Sequence, residues 1–222
     1  MTQERAVRTR ANIVQGAATE FAQYGYAGSS ITRILDNTSS TKGAMYFHFS
    51  SKQEIAAAVL DTATAAYTAI ATRWSTADGV PPLDAIVGMV DDAAQAFDHD
   101  VSLRAEARLS VEPDFHAHRS SAAWEAAVLD LARRAAESGS LRAGFTAEKF
   151  ARVLAASLAG YRLLAHIVPT GLRASISIGY RECLDTVLAA ARNTDSMGSA
   201  SSEMNTASPL RRATENADIA RV

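Results

Sequence analysis

The sequence holds one cysteine, Cys183, among 222 residues. One thiol forms no internal disulfide and cannot alone hold a structural zinc. Proline is also scarce, with five residues, and aromatics make up 7%. Strict apolar–polar alternation with β-branched runs is missing, which removes the sandwich and barrel classes. No apolar run approaches the ~20 residues of a membrane span, so no transmembrane segment is expected. Met1 to Arg10 is basic and polar without an apolar centre, so no secretory signal is expected either, and the combination predicts a cytoplasmic protein. Hydrophobic residues at 48% and charged residues at 21% give an ordinary globular balance, against collagen, coiled-coil arrays and wholesale disorder.

Net charge is −2, but it is unevenly spread. Residues 1–60 carry six bases (Arg5, Arg8, Arg10, Arg33, Lys42, Lys52) and four acids (Glu4, Glu20, Asp36, Glu54), and the rest of the chain is net acidic. Opposite signs in two parts point to two tasks.

The periodicity predicts an all-α fold. Ile13, Ala17, Phe21 and Tyr24 fall on one face of a helix over about 8–24, ended by Gly25. Ser29 or Ser30 offers a cap for a short helix with Ile31, Ile34 and Leu35. A polar turn, Asn37–Ser40, leads into another short helix over about 41–47. Ser51 and Glu54 have capping-box spacing at the head of a long helix to about Trp74. Pro81-Pro82 breaks the chain, and helices are expected near 83–98, 102–111, 121–138, 146–167 and 173–192, with Pro169 and Gly171 as a stop. The last two are apolar on more than one face, which predicts burial against a second subunit. From Asn193 onward Ser, Ala, Asn and Thr dominate, and a disordered tail is expected, Arg211-Arg212 included. The predicted domains are 1–50, 51–193 and the tail 194–222.

Residues 29–49 read as two short helices about a tight turn, the helix-turn-helix, which sets the start of its second helix against base edges in the major groove. That second helix is too short to stand alone. Ala44 with Phe47 or Phe49 is expected to face inward, leaving Thr41, Lys42, Gly43, Tyr46 and His48 outward. Lys42 can donate to guanine or phosphate, Tyr46 and His48 to phosphate, and Gly43 allows close approach.

Gly25-Tyr26, Ile31, Ile34, the run Lys42 to Phe49 (KGAMYFHF) and Lys52 together resemble the DNA-binding domain of the TetR family of transcriptional regulators. The KGAxYFHF spelling and the opening ERAVRTRANIVQGAATEFAQYGY are most similar to the γ-butyrolactone receptor subgroup. The resemblance implies three N-terminal helices for DNA and a helical ligand and dimerisation core whose last two helices build a four-helix bundle. It implies DNA contacts from Lys42, Gly43, Tyr46 and His48 with Thr41 in support, phosphate contacts from Ser29, Ser30 and Lys52, and backbone or minor-groove contacts from Arg5, Arg8 and Arg10. The family spells the turn Ala-Gly-Val, where this chain has Thr38-Ser39-Ser40. Ser40 in place of an apolar plug is expected to loosen the recognition helix.

The effector half resembles the receptors at Leu103–Leu109 (LRAEARL) and at Trp124, which the resemblance places in the ligand cavity. Arg104, Arg108, Tyr67 and Tyr161 are further cavity candidates. The implied partners are an inverted-repeat DNA operator, a γ-butyrolactone-type effector and a second copy of the chain, with no cofactor and no membrane. A pseudo-receptor answering to an antibiotic or biosynthetic intermediate is the alternative. An all-helical enzyme would need a catalytic constellation, and no nucleophile elbow or phosphate loop is spelled. His116 and His118 lack a third ligand at a clear spacing for a metal. Asp91, Asp92, Asp98 and Asp100 are expected on a solvated face, and Cys183 is expected to be buried and inert.

Overall fold

A computed structural model describes residues 2–167 and 175–193. The helix stop at Pro169–Gly171 and the tail from 194 lie outside the described residues. In order the helices are α1 (Thr2–Tyr24), α2 (Ile31–Asp36), α3 (Lys42–His48), α4 (Lys52–Ser75), α5 (Pro82–His99), α6 (Val101–Leu109), α7 (Ala122–Glu137), α8 (Ala147–Ile167) and α9 (Ile176–Ala191). No strand occurs among the described residues; a single bridge joins Leu141 to Arg192. The all-α expectation holds.

Local chemistry explains the boundaries. Ser30, Thr41 and Ser51 each accept a hydrogen bond from the third amide of the helix that follows, which satisfies one orphan donor. Glu54 reaches back one residue further than a capping box requires, and accepts from the Ser50 amide at 2.7 Å and the Ser50 hydroxyl at 2.8 Å. Those bonds hold its carboxyl below the usual carboxylate range. Pro82 stands in the first turn of α5, where its missing N–H costs nothing.

The side chains form two cores. The first joins Ile13, Ala17 and Phe21 of α1 to Ile34, Met45 and Phe49, and then to Ile55, Val59 and Leu60 of α4 and Ala105 and Leu109 of α6. The second contains Ala63 and Tyr67 of α4, Leu103 and Ala107 of α6, and the buried faces of α5, α7, α8 and α9. Thus α4 and α6 belong to both. The predicted boundary at residue 50 ends the recognition segment, but the first core is closed only by residues 55–60 and α6. Helix α4, at 24 residues, is the one described helix long and apolar enough to cross a membrane by length and composition. Its buried residues, Ile55, Ala56, Ala58, Val59 and Leu60 and then Ala63, Tyr67 and Ala71, divide between the two cores.

Three expectations on packing are corrected. Tyr24 is 43% exposed, because the helix ends there and the Arg33 guanidinium lies over its ring at 4.6 Å. The aspartates of the acidic face are engaged rather than merely solvated. Asp92 accepts from Trp74 Nε1 at 2.8 Å and Arg73 at 3.0 Å, Asp91 pairs with Arg181, and Asp100 caps α6. Cys183 is half-buried rather than buried, though burial raises its thiol pKa and so favours the unreactive thiol, as an inert residue requires.

Candidate nucleic-acid interface and effector cavity

Helix α3 has seven residues and depends on its neighbours. Its inward anchors are Met45, fully buried, and Phe49 just beyond its end. Phe47, expected inward as the alternative to Phe49, is instead 80% exposed. The helical step from Met45 to Phe49 is one turn, so Phe47 between them falls on the opposite side.

Around the inward pair, the outer face is open. Lys42 and Gly43 are exposed, Tyr46 is half-exposed, and His48 is partly covered by the edge of Phe47 at 5.1 Å between ring centres. A Cβ placed on Gly43 would meet nothing within 4 Å. The protein's own packing therefore does not demand glycine there; the space lies on the outer side. Thr41 is engaged as the cap, accepting from the Ala44 amide at 3.1 Å.

The turn before α3 is tied down from α1. Asn12 Oδ1 accepts from the Ser40 hydroxyl at 3.2 Å and the Ser39 amide at 3.3 Å. The serines that replace the family's Gly-Val gain a polar anchor, so the loosening expected from an absent apolar plug is offset. Close approach here also needs Gly16, where a Cβ would stand 2.3 Å from Thr38 Cγ2.

The predicted phosphate ligands divide. Ser30 is exposed at the start of α2. Ser29 is buried, and its hydroxyl donates to the Gly25 carbonyl at 2.5 Å; that donor is spent inside the protein. Lys52 Nζ donates to the carbonyls of Tyr26 at 2.9 Å and Ser29 at 3.0 Å and sits 4.2 Å from the Tyr26 ring centre. It clamps the loop before α2 onto α4 and retains one N–H for an outside acceptor. Arg5, Arg8 and Arg10 are exposed along α1, a helix from Thr2 onward and not an extended arm. Arg8 pairs with Glu4 at 3.4 Å, and Arg10 lies 5.0 Å from the Phe49 ring centre. Arg33, not foreseen as more than surface charge, bonds the buried Glu20 at 2.6 Å and the Gly28 carbonyl. The 13-residue separation of that pair gives no local signal in the sequence.

The second site is a small, half-open cavity of about 40 Å³ in the C-terminal core. Trp124, Tyr67, Leu158, Tyr180, Arg162 and Glu125 are among its walls. Trp124 is 5% exposed, and its Nε1 is buried without a hydrogen-bond partner. A buried N–H left unpaired costs about 1–3 kcal/mol, which a ligand carbonyl or hydroxyl would recover. Beside it Arg162 bonds Glu106 of α6 at 2.7 Å and the Tyr67 hydroxyl. Burial pushes the Glu106 carboxyl above its ordinary range, and Arg162 opposes that in part. Burial also raises the Tyr67 and Tyr180 phenols well above their ordinary value. Both stay neutral.

Of the predicted cavity residues, the structure brings Trp124 and Tyr67 together. Arg104 instead binds the carbonyls of Phe97 at 3.0 Å and Asp98 at 2.8 Å, the C-terminal turn of α5. Arg108 donates to the Gln23 carbonyl at 2.8 Å, on the last turn of α1. Both satisfy orphan carbonyls at the negative end of a helix, where a cation is favoured. Tyr161 is half-buried against Gly179 of α9, whose added Cβ would collide with the ring at 1.9 Å, and it is not among the cavity walls. Glu106, Arg162 and Tyr180 were missed, because an Arg–Glu pair 56 residues apart has no spacing rule.

His118 stands between Asp61 at 3.0 Å and Ser120 at 3.3 Å. The order carboxylate, imidazole, hydroxyl is that of acyl-transfer enzymes. Here Ser120 is 2% exposed and does not line the cavity, so the chain serves to tie the α6–α7 loop to α4. No group of three metal-ligating side chains occurs among the described residues.

Comparison with known proteins follows the same two regions. Residues 13–59 match the family described as bacterial regulatory proteins, tetR family. Over 113 residues the chain is 41% identical to the A-factor receptor protein of Streptomyces griseus, and over 82 residues 34% identical to the HTH-type transcriptional regulator TtgR of Pseudomonas putida. Those segments are 51% and 37% of this chain but only 38% and 39% of the two relatives. A solved structure described as the molecular basis for control of antibiotic production by bacterial hormones superposes with a TM-score of 0.68 at 31% identity, covering 84% of this chain and 99% of that one. Full-length native tylp, a TetR regulator from Streptomyces fradiae, superposes with a TM-score of 0.66 at 28% identity, over 90% of this chain and 96% of its own. The matched helix-turn-helix, and a likeness that runs through the helical core as well, show that the chain belongs to the TetR family of bacterial regulatory proteins.

Proposed function

We propose that the protein is a homodimeric, sequence-specific DNA-binding transcriptional repressor, released from an inverted-repeat operator by a small-molecule effector of the γ-butyrolactone type. The observation that carries the DNA reading is the outer face of α3. Lys42, Tyr46 and His48 stand around a glycine whose open side faces away from the protein. Lys42 and Tyr46 retain unspent donors for base edges and phosphates. Two copies set ~34–36 Å apart, or a multiple, would read two half-sites. The likeness to the A-factor receptor supports the class of effector.

A second copy is supported by aliphatics left exposed on the last two helices: Val153 and Leu164 on α8 and Ile178 on α9. A twofold partner seated on these two helices would cover them.

The route between cavity and DNA runs through α6. Leu103 and Ala107 lie in the second core, Ala105 and Leu109 in the first. Glu106 touches the cavity network, and Arg108 caps α1. A ligand that prefers one position of α6 thereby biases α1 and the separation of the two recognition helices; typical couplings of this kind are ~1–3 kcal/mol.

The test is a footprint and mobility shift of the purified chain on DNA upstream of its own gene, titrated with salt and then with small-molecule extracts. Binding to a palindromic duplex that weakens steeply with salt and is released by extract is expected. Absence of salt-dependent duplex binding, or turnover of a small molecule in its place, overturns the reading in favour of an enzyme.

A further inference from the structure

The electrostatics of the cavity narrow what it accepts. Its one buried cation, Arg162, is 13% exposed, and its charge is met by Glu106, 3% exposed, at 2.7 Å. The same guanidinium nitrogen also binds the Tyr67 hydroxyl. At the wall stands a second carboxylate, Glu125, held by Ser121 at 2.7 Å and Arg119 at 2.9 Å. The remaining walls named above are aromatic or aliphatic, and Trp124 Nε1 is the buried donor without a partner.

A buried charge must be compensated. The cation that would compensate an anionic ligand is already spent on Glu106, and the other carboxylate at the wall, Glu125, is itself paired with Arg119. An incoming carboxylate would lose its water and gain no free counter-charge. An uncharged acceptor loses little and gains the indole N–H. Resting on the effector reading above, we infer that the Glu106–Arg162 pair is a charge filter: the cavity takes an uncharged ligand whose oxygen accepts from Trp124 and rejects the carboxylate of the same skeleton. A lactone and its ring-opened hydroxy acid differ in this way and in little else. Ring opening would therefore end the signal at this site.

The experiment uses the full chain carrying Trp74→Phe, so that Trp124 is the one remaining indole of the two. The probes are γ-decalactone and the sodium salt of 4-hydroxydecanoic acid, followed by indole emission and calorimetry. The lactone is expected to bind at least about tenfold more tightly than the salt, the order of discrimination that an uncompensated buried charge imposes. Glu106→Gln frees the guanidinium charge and is expected to shift that ratio at least about tenfold toward the salt. Adding Arg162→Gln to it is expected to restore the lactone preference. Equal binding of both probes to the background protein overturns the inference, as does failure of both to bind. An unchanged ratio in Glu106→Gln with a native circular-dichroism spectrum does so too. If that variant does not fold, the background comparison and the double variant decide. Mobility shift of the background protein on its operator separates the two levels: intact DNA binding without charge selection sinks only this inference, whereas no DNA binding sinks the function.

Discussion

Single residues on α3 carry the sharpest expectations. Lys42→Ala and Tyr46→Ala remove exposed groups that touch no core, so the melting temperature should stay within experimental spread. Operator affinity should fall by about 1–3 kcal/mol for each lost contact. A mobility shift identical to wild type would exclude these side chains from the interface. Trp124→Phe is read in two measurements. Phe removes an unpaired buried N–H but leaves part of the indole's buried volume empty, so the ligand-free protein should gain no stability, while release from DNA by effector weakens. Thermal melts and effector titration on one preparation check both.

Glu54 gives a pH signature at the same scale. Its carboxyl is held below the ordinary 4.5 chiefly by the Ser50 amide and hydroxyl. A depressed carboxylate pKa contributes stability above the unfolded value, and that stability is lost as pH falls through the folded value. Glu54→Gln should therefore melt below wild type at neutral pH, with the gap closing in acid below the ordinary carboxylate range. A gap that is constant across pH in calorimetric melts would contradict the cap.

At the scale of elements, the recognition helix is held by what surrounds it. The short α3 could be located in the sequence from its cap and motif. What fixes it was legible only in part, through Phe49 as one of two candidate inward aromatics. Met45 and Phe49 seat it in the first core, and Asn12 holds its turn through two hydrogen bonds to Ser39 and Ser40. Asn12→Ala should cost about 0.5–1.5 kcal/mol, the range for losing ordinary hydrogen bonds, since Ser39 is exposed and Ser40 half-buried. DNA affinity should fall more than stability does, because the turn sets the angle of α3. Urea unfolding together with a mobility shift measures the two effects separately. Phe47 shows the limit of pattern reading on so short a helix: with seven residues, half a turn of phase decides which aromatic is inside, and the apolar content of YFHF fits either choice. The arginines of α6 show another limit. Residue type placed Arg104 and Arg108 near a ligand, but the geometry spends both on helix C-termini.

At the scale of the whole molecule, α4 and α6 join two cores into one mechanical unit, and α8 and α9 keep aliphatics outside. Ile178→Asp on the exposed face of α9 should leave the fold intact and convert a dimer to monomers, with loss of binding to a two-half-site operator. Sedimentation velocity reads this directly; a monomeric wild type, or a dimeric variant, would remove these helices from the interface.

The sequence by itself determined the helices, their caps and the recognition segment, because these rest on interactions within about four residues: apolar periodicity, hydroxyl caps, a glycine stop and the run from Lys42 to Phe49. The tertiary structure decided what lies across long separations. It turned Ser29 inward, committed Lys52 to two loop carbonyls, joined Glu20 to Arg33, and paired Glu106 with Arg162 beside an unpartnered indole. A polar side chain bonds whatever the folded chain brings within ~3 Å of it, and that partner leaves no period in the sequence.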